Sequence, residues 1–375
     1  MKVVLQLICL VFFQTFYGQV TCIIDSLPNN HNYNQNVFVS GDFEGWSGGK
    51  EEFKLLKSNG KYHITIPKLK ETISFKFTLG SWDFSECDGN GNPITNRVYT
   101  FGNTSDTIYV KIAKWTDSTS KIKRSTALKN VHVFSEEFKI PQLNRTRRIS
   151  VYLPPNYESS SENYPVLYMH DGQNVFDLAT SYAGEWEVDE TLDRLYKERG
   201  LGIIVVAINH GGETRLNEYS PWFNPKYGVA EGDAYLKFII NTLKPEIDKS
   251  FRTKKDSNNT AIMGSSMGGL ISHYAGLKYS KVFGKVGVFS PSFWYSEDAF
   301  LFTETKSKLK HGKMYYLVGG KEGEGMVENV EKMVNIMKLN KFSKNNIRTK
   351  VVLNGTHSES FWKTEFESAV LWLFH

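Results

Sequence analysis

The sequence is poor in cysteine, and beyond its N-terminus it has no long apolar run. It holds three cysteines in 375 residues, Cys9, Cys22 and Cys87, which is too few for a disulfide framework. No spacing of cysteine and histidine is typical of a metal site, and we expect neither a metal nor a cofactor. No stretch reaches the length of a transmembrane helix. Cys22 and Cys87 could pair in an oxidising compartment or remain two unrelated thiols.

The sequence also has only a small excess of positive over negative charge. Lysine and arginine number 45 and aspartate and glutamate 40, which gives a formal net charge of +5. The charges are evenly spread and no dense basic run stands out, so we expect no nucleic-acid partner. Aromatic residues make up 14% of the chain, and their flat rings suit both sheet packing and stacking on sugars.

The N-terminus has the parts of a secretory signal peptide. Lys2 supplies the positive charge, residues 3–13 supply the apolar stretch, and cleavage after Gly18 leaves Gln19 as the first mature residue. The apolar stretch is too short to span a bilayer. We therefore expect residues 1–18 to be removed and the protein to be secreted or periplasmic.

Two patterns of hydrophobic periodicity divide the rest of the chain. Residues 19–117 alternate at period two in short segments between turn residues, which predicts a small all-β, immunoglobulin-like sandwich. Its clearest strands are predicted at 37–40, 62–66, 73–78 and 107–112. Residues 118–127 are assigned to a linker because they are rich in serine, threonine and lysine. In residues 128–375 apolar strands alternate with helical stretches, which predicts an α/β domain with a mostly parallel sheet.

The most informative motif is Gly264-Ser265-Ser266-Met267-Gly268, which has the form G-x-S-x-G. It follows an apolar run at 260–263 and precedes a helical pattern, and this is the context of a nucleophile elbow. Small residues suit such a turn because its backbone is strained and passes close to its neighbours. Ser266 is therefore the candidate nucleophile, at a helix N-terminus that favours negative charge. A plain Gly/Ser turn between a strand and a helix is the alternative.

A serine nucleophile needs a base, and the base needs a carboxylate that orients it. After a nucleophile elbow the acid and then the histidine follow along the chain. His357 lies just beyond the last predicted strand, and Glu322 lies in the glycine-rich loop after the strand before it. Glu324 in the same loop is the second candidate for the acid. The alternative is that these side chains are solvated in surface loops.

The tetrahedral intermediate of ester hydrolysis needs hydrogen-bond donors for its oxyanion. The backbone N–H groups of Met267, which follows the nucleophile, and of Gln173 are the candidates. Gln173 lies in a loop at 170–174, where Gly172 lets the backbone approach its surroundings closely. The residues expected to line the substrate pocket are Asp171, Gly172, Asn209, His210 and Trp294.

The second half of the chain resembles the enterochelin esterase-like, or esterase D, group of α/β hydrolases, which overlaps carbohydrate esterase family 1. The resemblance covers residues 130–375, and it rests on the elbow together with segments at 168–177, 186–190, 235–238, 243–248 and 289–294. It implies an α/β-hydrolase fold and serine ester hydrolysis by Ser266, Glu322 and His357 without a metal. That group includes feruloyl and acetyl xylan esterases.

The first domain resembles the starch- and glycogen-binding modules of carbohydrate-binding families 20 and 48. The resemblance rests on segments at 37–46, 75–77 and 81–82. It implies that Trp46 and Trp82 stack on glucan rings, although Glu44 stands where the family usually has asparagine. The alternative is a domain that only packs against the hydrolase and shapes its entrance.

These features together predict a secreted serine esterase that acts on an ester substrate. We expect acyl or feruloyl esters on polysaccharide, with glucan or xylan binding by the first domain. Hydrolysis of a catecholate siderophore trilactone is the alternative within the same chemistry. A carbohydrate-binding protein with a vestigial hydrolase fold is the alternative of another class.

Overall fold

We analysed a computed structural model of the protein, which describes residues 18–116, 125–306 and 312–374. The predicted signal peptide, apart from Gly18, and residues 118–124 of the predicted linker lie outside the described residues. The chain divides into two compact units, Met1–Ser118 and Thr119–His375. Within the described ranges, no helix is both long enough and apolar enough to cross a membrane.

The first unit is built from short strands in three small sheets. Strands β1 to β9 are Gln19–Ser26, Phe38–Gly41, Leu56–Ser58, Lys61–Pro67, Thr72–Thr78, Glu86–Cys87, Arg97–Thr100, Asp106–Lys111 and Lys114–Trp115. One sheet has the order β3-β4-β1-β8, a second has the order β2-β5-β7, and β6 pairs with β9. The four strands predicted in this region correspond to β2, β4, β5 and β8.

Alternation of buried and exposed side chains explains why these segments are strands. In β4 Tyr62, Ile64 and Ile66 are buried while the residues between them face outward. They contribute to an apolar core that also holds Cys22. Cys22 and Cys87 are both buried and free, so the disulfide that the sequence left open is not formed. Burial raises the pKa of the Cys22 thiol to about 12, which keeps it protonated and unreactive.

The second unit is a three-layer α/β structure. Strands β10 to β17 are Val131–Ile140, Arg145–Tyr152, Val166–Met169, Ile204–Ile208, Thr260–Ser265, Lys285–Phe289, Lys313–Gly319 and Ile347–Val352. Helices α1 to α8 are Val188–Arg199, Arg215–Glu218, Gly232–Phe238, Lys244–Ser250, Met267–Lys278, Asp298–Glu304, Met326–Leu339 and Glu359–Phe374. A π-helical turn over Ile239–Leu243 joins α3 to α4.

Its eight strands form one sheet in the order β10-β11-β13-β12-β14-β15-β16-β17. The six strands β12 to β17 pair in parallel, and β10 and β11 extend the sheet with antiparallel pairing. Side chains of the central strands are buried on both faces, as the continuous apolar runs predicted. Helices α3 to α7 pack on one face and α1 and α8 on the other.

The fold differs from the sequence prediction at the edge of this sheet. Strands β10 and β11 were not predicted, because the polar and charged residues within them obscure any regular alternation, and much of β10 is solvent-exposed. Ser125 and Thr126 were assigned to the linker, yet both are hydrogen-bonded within the second unit. Their side chains donate to Asp177 and Glu185 over 2.9–3.0 Å.

Candidate active site

Ser266 occupies a strained turn between β14 and α5. Its backbone has φ 57° and ψ −119°, a conformation that L-residues rarely adopt. The neighbouring Gly264 cannot be larger, since a Cβ there would lie 2.9 Å from a ring carbon of His170 and from the backbone of Gly268. The backbone therefore forms the strained strand-turn-helix that the sequence predicted, with Ser266 directly before the first turn of a twelve-residue helix.

The Ser266 hydroxyl contacts another serine. Its Oγ lies 3.1 Å from Oγ of Ser292, and no other hydrogen-bond partner of this hydroxyl occurs among the described residues. Ser292 is fully buried, and its backbone N–H donates to the carbonyl of Ser266 over 3.0 Å. In this structure the nucleophile candidate thus rests on Ser292 rather than on the imidazole of His357.

Glu322 and His357 are brought together by the loops that follow β16 and β17. Nδ1 of His357 lies 3.1 Å from Oε2 of Glu322, and the side chain of Glu322 is completely buried. The competing candidate, Glu324, is exposed to solvent. A buried carboxylate that accepts Nδ1–H leaves Nε2 of the imidazole as the proton acceptor, which is the tautomer a general base needs.

The other carboxylate oxygen of Glu322 accepts two hydrogen bonds. Oε1 accepts the backbone N–H of Gly319 over 2.7 Å and the hydroxyl of Ser290 over 2.6 Å. The Ser290 hydroxyl in turn accepts Nε1–H of Trp362 over 2.8 Å. The ring of Trp362 stands edge-on to the ring of His357, with centroids 5.0 Å apart. Glu322 is therefore held at three points.

The two backbone amides predicted to bind the oxyanion are unoccupied. Among the described residues, neither the N–H of Met267 nor that of Gln173 has a hydrogen-bond acceptor. The Gln173 side chain and carbonyl are engaged, since Oε1 accepts the N–H of His210 and the carbonyl accepts the hydroxyl of Thr180. The backbone of Gln173 is thus held in place while its backbone N–H remains available to a substrate.

Asp171 has a different environment from the one the sequence suggested. Both of its carboxylate oxygens accept hydrogen bonds from Arg215, over 2.7 and 2.8 Å. Burial alone would raise the pKa of this carboxyl, but the charge and the hydrogen bonds of Arg215 outweigh it and the pKa is lowered. Both carboxylate oxygens of Asp171 are therefore engaged by Arg215, and the ion pair fixes the loop that carries Gln173.

Gly172 approaches the sheet rather than the predicted pocket. A Cβ at this position would lie 2.7 Å from backbone atoms of Ala207 and Ile208 in β13. Only glycine lets the 170–174 loop pack this closely on the strand. The close approach predicted for Gly172 is thus real, but its partner is the protein backbone.

The remaining predicted pocket residues lie in the segments that follow β13 and β15. His210 stacks on Tyr182 with ring centroids 5.7 Å apart, and burial lowers its pKa to about 4. Its Nδ1 accepts the N–H of Gly212 over 2.8 Å, which places the remaining ring proton on Nε2. Asn209 is half-buried, with its N–H bonded to a neighbouring strand. Trp294 is 49% exposed and meets Tyr227 edge-on.

One group of carboxylates among the described residues is close enough to hold a cation. Oxygens of Glu185, Asp189 and Glu190 lie within 4.8 Å of one another, and one oxygen each of Asp189 and Glu190 is buried without a hydrogen-bond partner. Burial raises the pKa of Glu185 to about 7 and that of Asp189 to about 8. A proton shared between Asp189 and Glu190 satisfies the same oxygens, so the group carries no argument for a metal.

In the first unit the structure brings Trp46 and Trp82 together. Their ring centroids are 5.8 Å apart, both rings are half-buried, and Nε1–H of Trp82 donates to the carbonyl of Trp46 over 2.8 Å. Glu44 is buried beneath this turn, where one carboxylate oxygen accepts the Ser40 hydroxyl and two backbone N–H groups. The glutamate at the usual asparagine position therefore stabilises the turn that carries Trp46.

Comparison with known proteins assigns the second unit. The model of the Esterase family, described as "Putative esterase", matches residues 140–373, which is more than half of the chain. The chain belongs to this esterase family. It is a carboxylic ester hydrolase with an α/β-hydrolase-like fold, in agreement with the resemblance seen in the sequence.

Relatives of the esterase match parts of its length at low sequence identity. The protein YbbA of Bacillus subtilis (strain 168) is 27% identical over 243 residues, which are 61% of this esterase and 92% of YbbA. The "Endo-1,4-beta-xylanase/feruloyl esterase" of Xylanibacter ruminicola is 29% identical over 153 residues, 40% of this esterase and 20% of that protein. The enterobactin esterase FES from Shigella flexneri has a similar fold, with TM-score 0.55 and 14% identity over 91% of this esterase and 88% of that chain.

Several residues of the esterase site were not predicted. Ser290 and Ser292 lie in a segment whose resemblance was noted without a role for either hydroxyl, and Trp362 follows His357 by five positions. Arg215 lies 44 positions from its partner Asp171. No local pattern indicates contacts of this kind, because each of them joins segments that are far apart in the sequence.

Proposed function

We propose that the esterase is a secreted serine hydrolase that cleaves acyl or feruloyl esters on polysaccharide through Ser266, His357 and Glu322. The observation that carries the proposal is the contact of His357 with the buried carboxylate of Glu322, at 3.1 Å, in the same unit as a serine held in an elbow conformation. A buried acid that fixes the tautomer of a histidine has little purpose unless that histidine moves a proton.

The reaction needs one rearrangement before it starts. The mechanism requires the Ser266 hydroxyl to exchange its contact with Ser292 for one with Nε2 of His357, and catalytic hydrogen bonds often tighten only with substrate bound. Oγ then attacks the ester carbonyl while Nε2 of His357 takes the hydroxyl proton. The amides of Met267 and Gln173 hold the oxyanion. His357 gives the proton to the leaving alcohol, and it then activates the water that releases the acid from the acyl-enzyme.

An aromatic acyl group suits the rim of the site. Trp294 is two residues from Ser292, and its ring is half exposed, while Tyr182 is 57% exposed beside His210. Such rings offer flat surfaces on which a feruloyl or catecholate ring can stack. The Xylanibacter relative named as a feruloyl esterase favours the first substrate class. The fold likeness to the enterobactin esterase, which spans both units, keeps the siderophore trilactone as the second candidate.

The first unit is proposed to bind the polysaccharide that carries the ester. The paired rings of Trp46 and Trp82 support this role, because sugar faces are apolar and stack on indoles. Secretion or export to the periplasm follows from the signal peptide predicted in residues 1–18, and it would place the enzyme where such polysaccharide occurs.

A substrate panel tests the proposal. Wild type and Ser266→Ala would be compared on p-nitrophenyl acetate, methyl ferulate, acetylated xylan and a catecholate trilactone. We expect turnover of methyl ferulate or acetylated xylan that disappears in Ser266→Ala. Preference for the trilactone would transfer the proposal to the siderophore role. Turnover unchanged by Ser266→Ala would remove the serine mechanism.

Binding by the first unit has its own test in the full-length protein. The double variant Trp46→Ala/Trp82→Ala should lose retention on insoluble starch or xylan while its turnover of p-nitrophenyl acetate stays at the wild-type level. Equal retention of wild type and variant on both polymers would contradict sugar binding at these rings.

A further inference from the structure

A chain of hydrogen bonds behind Glu322 leads away from the proposed site. It runs from Nε1–H of Trp362 to the hydroxyl of Ser290, over 2.8 Å, and from that hydroxyl to Oε1 of Glu322, over 2.6 Å. Ser290 is fully buried and Trp362 is 4% exposed, so water does not compete for these contacts. The mechanism above makes no use of either residue.

The direction of every proton in this chain is fixed by chemistry. An indole nitrogen can only donate, so the Ser290 oxygen must be the acceptor of the Trp362 contact. The single hydroxyl proton of Ser290 then points to Glu322. The N–H of Gly319 points to the same oxygen over 2.7 Å. Oε1 thus receives two donors, and Oε2 is left for Nδ1–H of His357.

The backbone supports this arrangement at Ser290. Its φ of 43° lies in the left-handed region, where a serine is uncommon. The unusual conformation places the hydroxyl between the indole of Trp362, on α8, and the carboxylate of Glu322, in the loop after β16. Non-glycine residues keep such conformations where surrounding contacts impose them, and these are often functional positions.

We propose that Ser290 and Trp362 are positioning residues that orient the Glu322 carboxylate and set how strongly its charge acts on His357. The inference rests on the proposed triad. Two neutral donors on Oε1 draw part of the carboxylate charge away from His357 and stop the carboxylate from rotating. The proton affinity of the histidine and the geometry of the base therefore both depend on the Ser290 hydroxyl.

The consequence for pH has a definite sign. Without the Ser290 hydroxyl, more of the Glu322 charge acts on the imidazolium, which stabilises the protonated histidine. Because the base must be neutral to act, the acid limb of kcat/KM in Ser290→Ala should move up by about one pH unit. We also expect a roughly tenfold fall in kcat from the loosened carboxylate.

Other charged groups around the pair do not produce this shift. Nearby elements carry Glu359 and Lys363 on α8, with Lys363 paired to Glu187, and the Asp171–Arg215 ion pair on the opposite loop. All of them remain in Ser290→Ala. The shift is measured as a difference from wild type, so their contributions cancel.

The test compares pH profiles of full-length variants on p-nitrophenyl acetate. Ser290→Gly serves beside Ser290→Ala, because glycine also lacks the hydroxyl and accepts the left-handed backbone without strain. Trp362→Phe should shift the acid limb in the same direction by a smaller amount, since the hydroxyl remains but loses its donor. Trp186→Phe is the matched control. The ring of Trp186 lies 5.8 Å from the ring of Trp362 in the same apolar cluster, but it takes no part in the hydrogen bonds that lead to Glu322.

The outcomes separate this inference from the proposed function. An acid limb unmoved in Ser290→Ala and Ser290→Gly, while Glu322→Gln is impaired, would overturn the positioning role and leave the triad intact. An equal shift in Trp186→Phe would also overturn it, because the cause would be packing. Full activity in Glu322→Gln would instead remove the triad, and the inference with it.

Discussion

The buried carboxylate of Glu322 gives the sharpest prediction, because its amide analogue fits the same contacts with the wrong proton. In Glu322→Gln the amide oxygen should take the place of Oε1, where the Ser290 hydroxyl and the Gly319 N–H both donate. The amide nitrogen then occupies the position of Oε2, 3.1 Å from Nδ1 of His357. Two donors cannot face each other, so Nδ1 must become the acceptor and the proton moves to Nε2.

A histidine with its proton on Nε2 cannot accept the proton of Ser266. Replacing the acid of a triad by its amide lowers kcat about 10⁴-fold for this reason, which corresponds to about 5.4 kcal/mol at 1.36 kcal/mol per factor of ten. Because the hydrogen bonds of Oε1 are preserved and a buried charge is removed, we expect the thermal midpoint of unfolding to stay near the wild-type value.

The assay is initial-rate hydrolysis of p-nitrophenyl acetate with the acylation burst recorded separately. Glu324→Gln is the control, since Glu324 lies in the same loop with an exposed side chain. It should keep wild-type kcat. Glu322→Gln with more than about a tenth of wild-type kcat, or a loss in Glu324→Gln instead, would refute the assignment of the acid.

Two further predictions concern stability. Gly172→Ala should destabilise the fold by about 1–3 kcal/mol in urea unfolding, because its Cβ would lie 2.7 Å from the backbone of β13; an unchanged midpoint would contradict the packing. Burial raises the pKa of Asp189 to about 8 in the folded state, whereas its pKa in the unfolded state is about 3.9. Between these two pH values the folded state keeps a proton that the unfolded state lacks. The stability of the wild type therefore falls as pH rises through this window. Asp189→Asn lacks this effect, so its stability relative to wild type should increase from pH 5 to pH 8, and a pH-independent difference would argue against the raised pKa.

Local motifs carried most of what the sequence could predict. The elbow was readable because strand, turn and helix are contiguous at 260–278, and the parallel strands were readable because burial on both faces requires continuous apolar runs. Glu322 and His357 were found by their order after the elbow. The order of these residues along the chain is a property of the fold's topology, so it can be used for prediction without knowing any distance.

Contacts between distant loops could not be predicted. Glu322 accepts the hydroxyl of Ser290, which lies 32 positions away. Ser290 in turn accepts Nε1–H of Trp362, 72 positions away, and Asp171 accepts Arg215, 44 positions away. The ion pair of Asp171 was not predicted, because nothing near Asp171 in the sequence indicates its partner. The resting contact of Ser266 with Ser292 was missed because it depends on a single side-chain torsion.

Covalent trapping of the nucleophile is the most direct test of catalysis by Ser266. The full-length protein would be treated with an alkyl fluorophosphonate, followed by intact mass measurement and peptide mapping. We expect one equivalent of label on Ser266, no label in Ser266→Ala, and slow labelling in Glu322→Gln. Label on another residue, or esterase activity that persists after Ser266 is fully labelled, would contradict a Ser266 nucleophile.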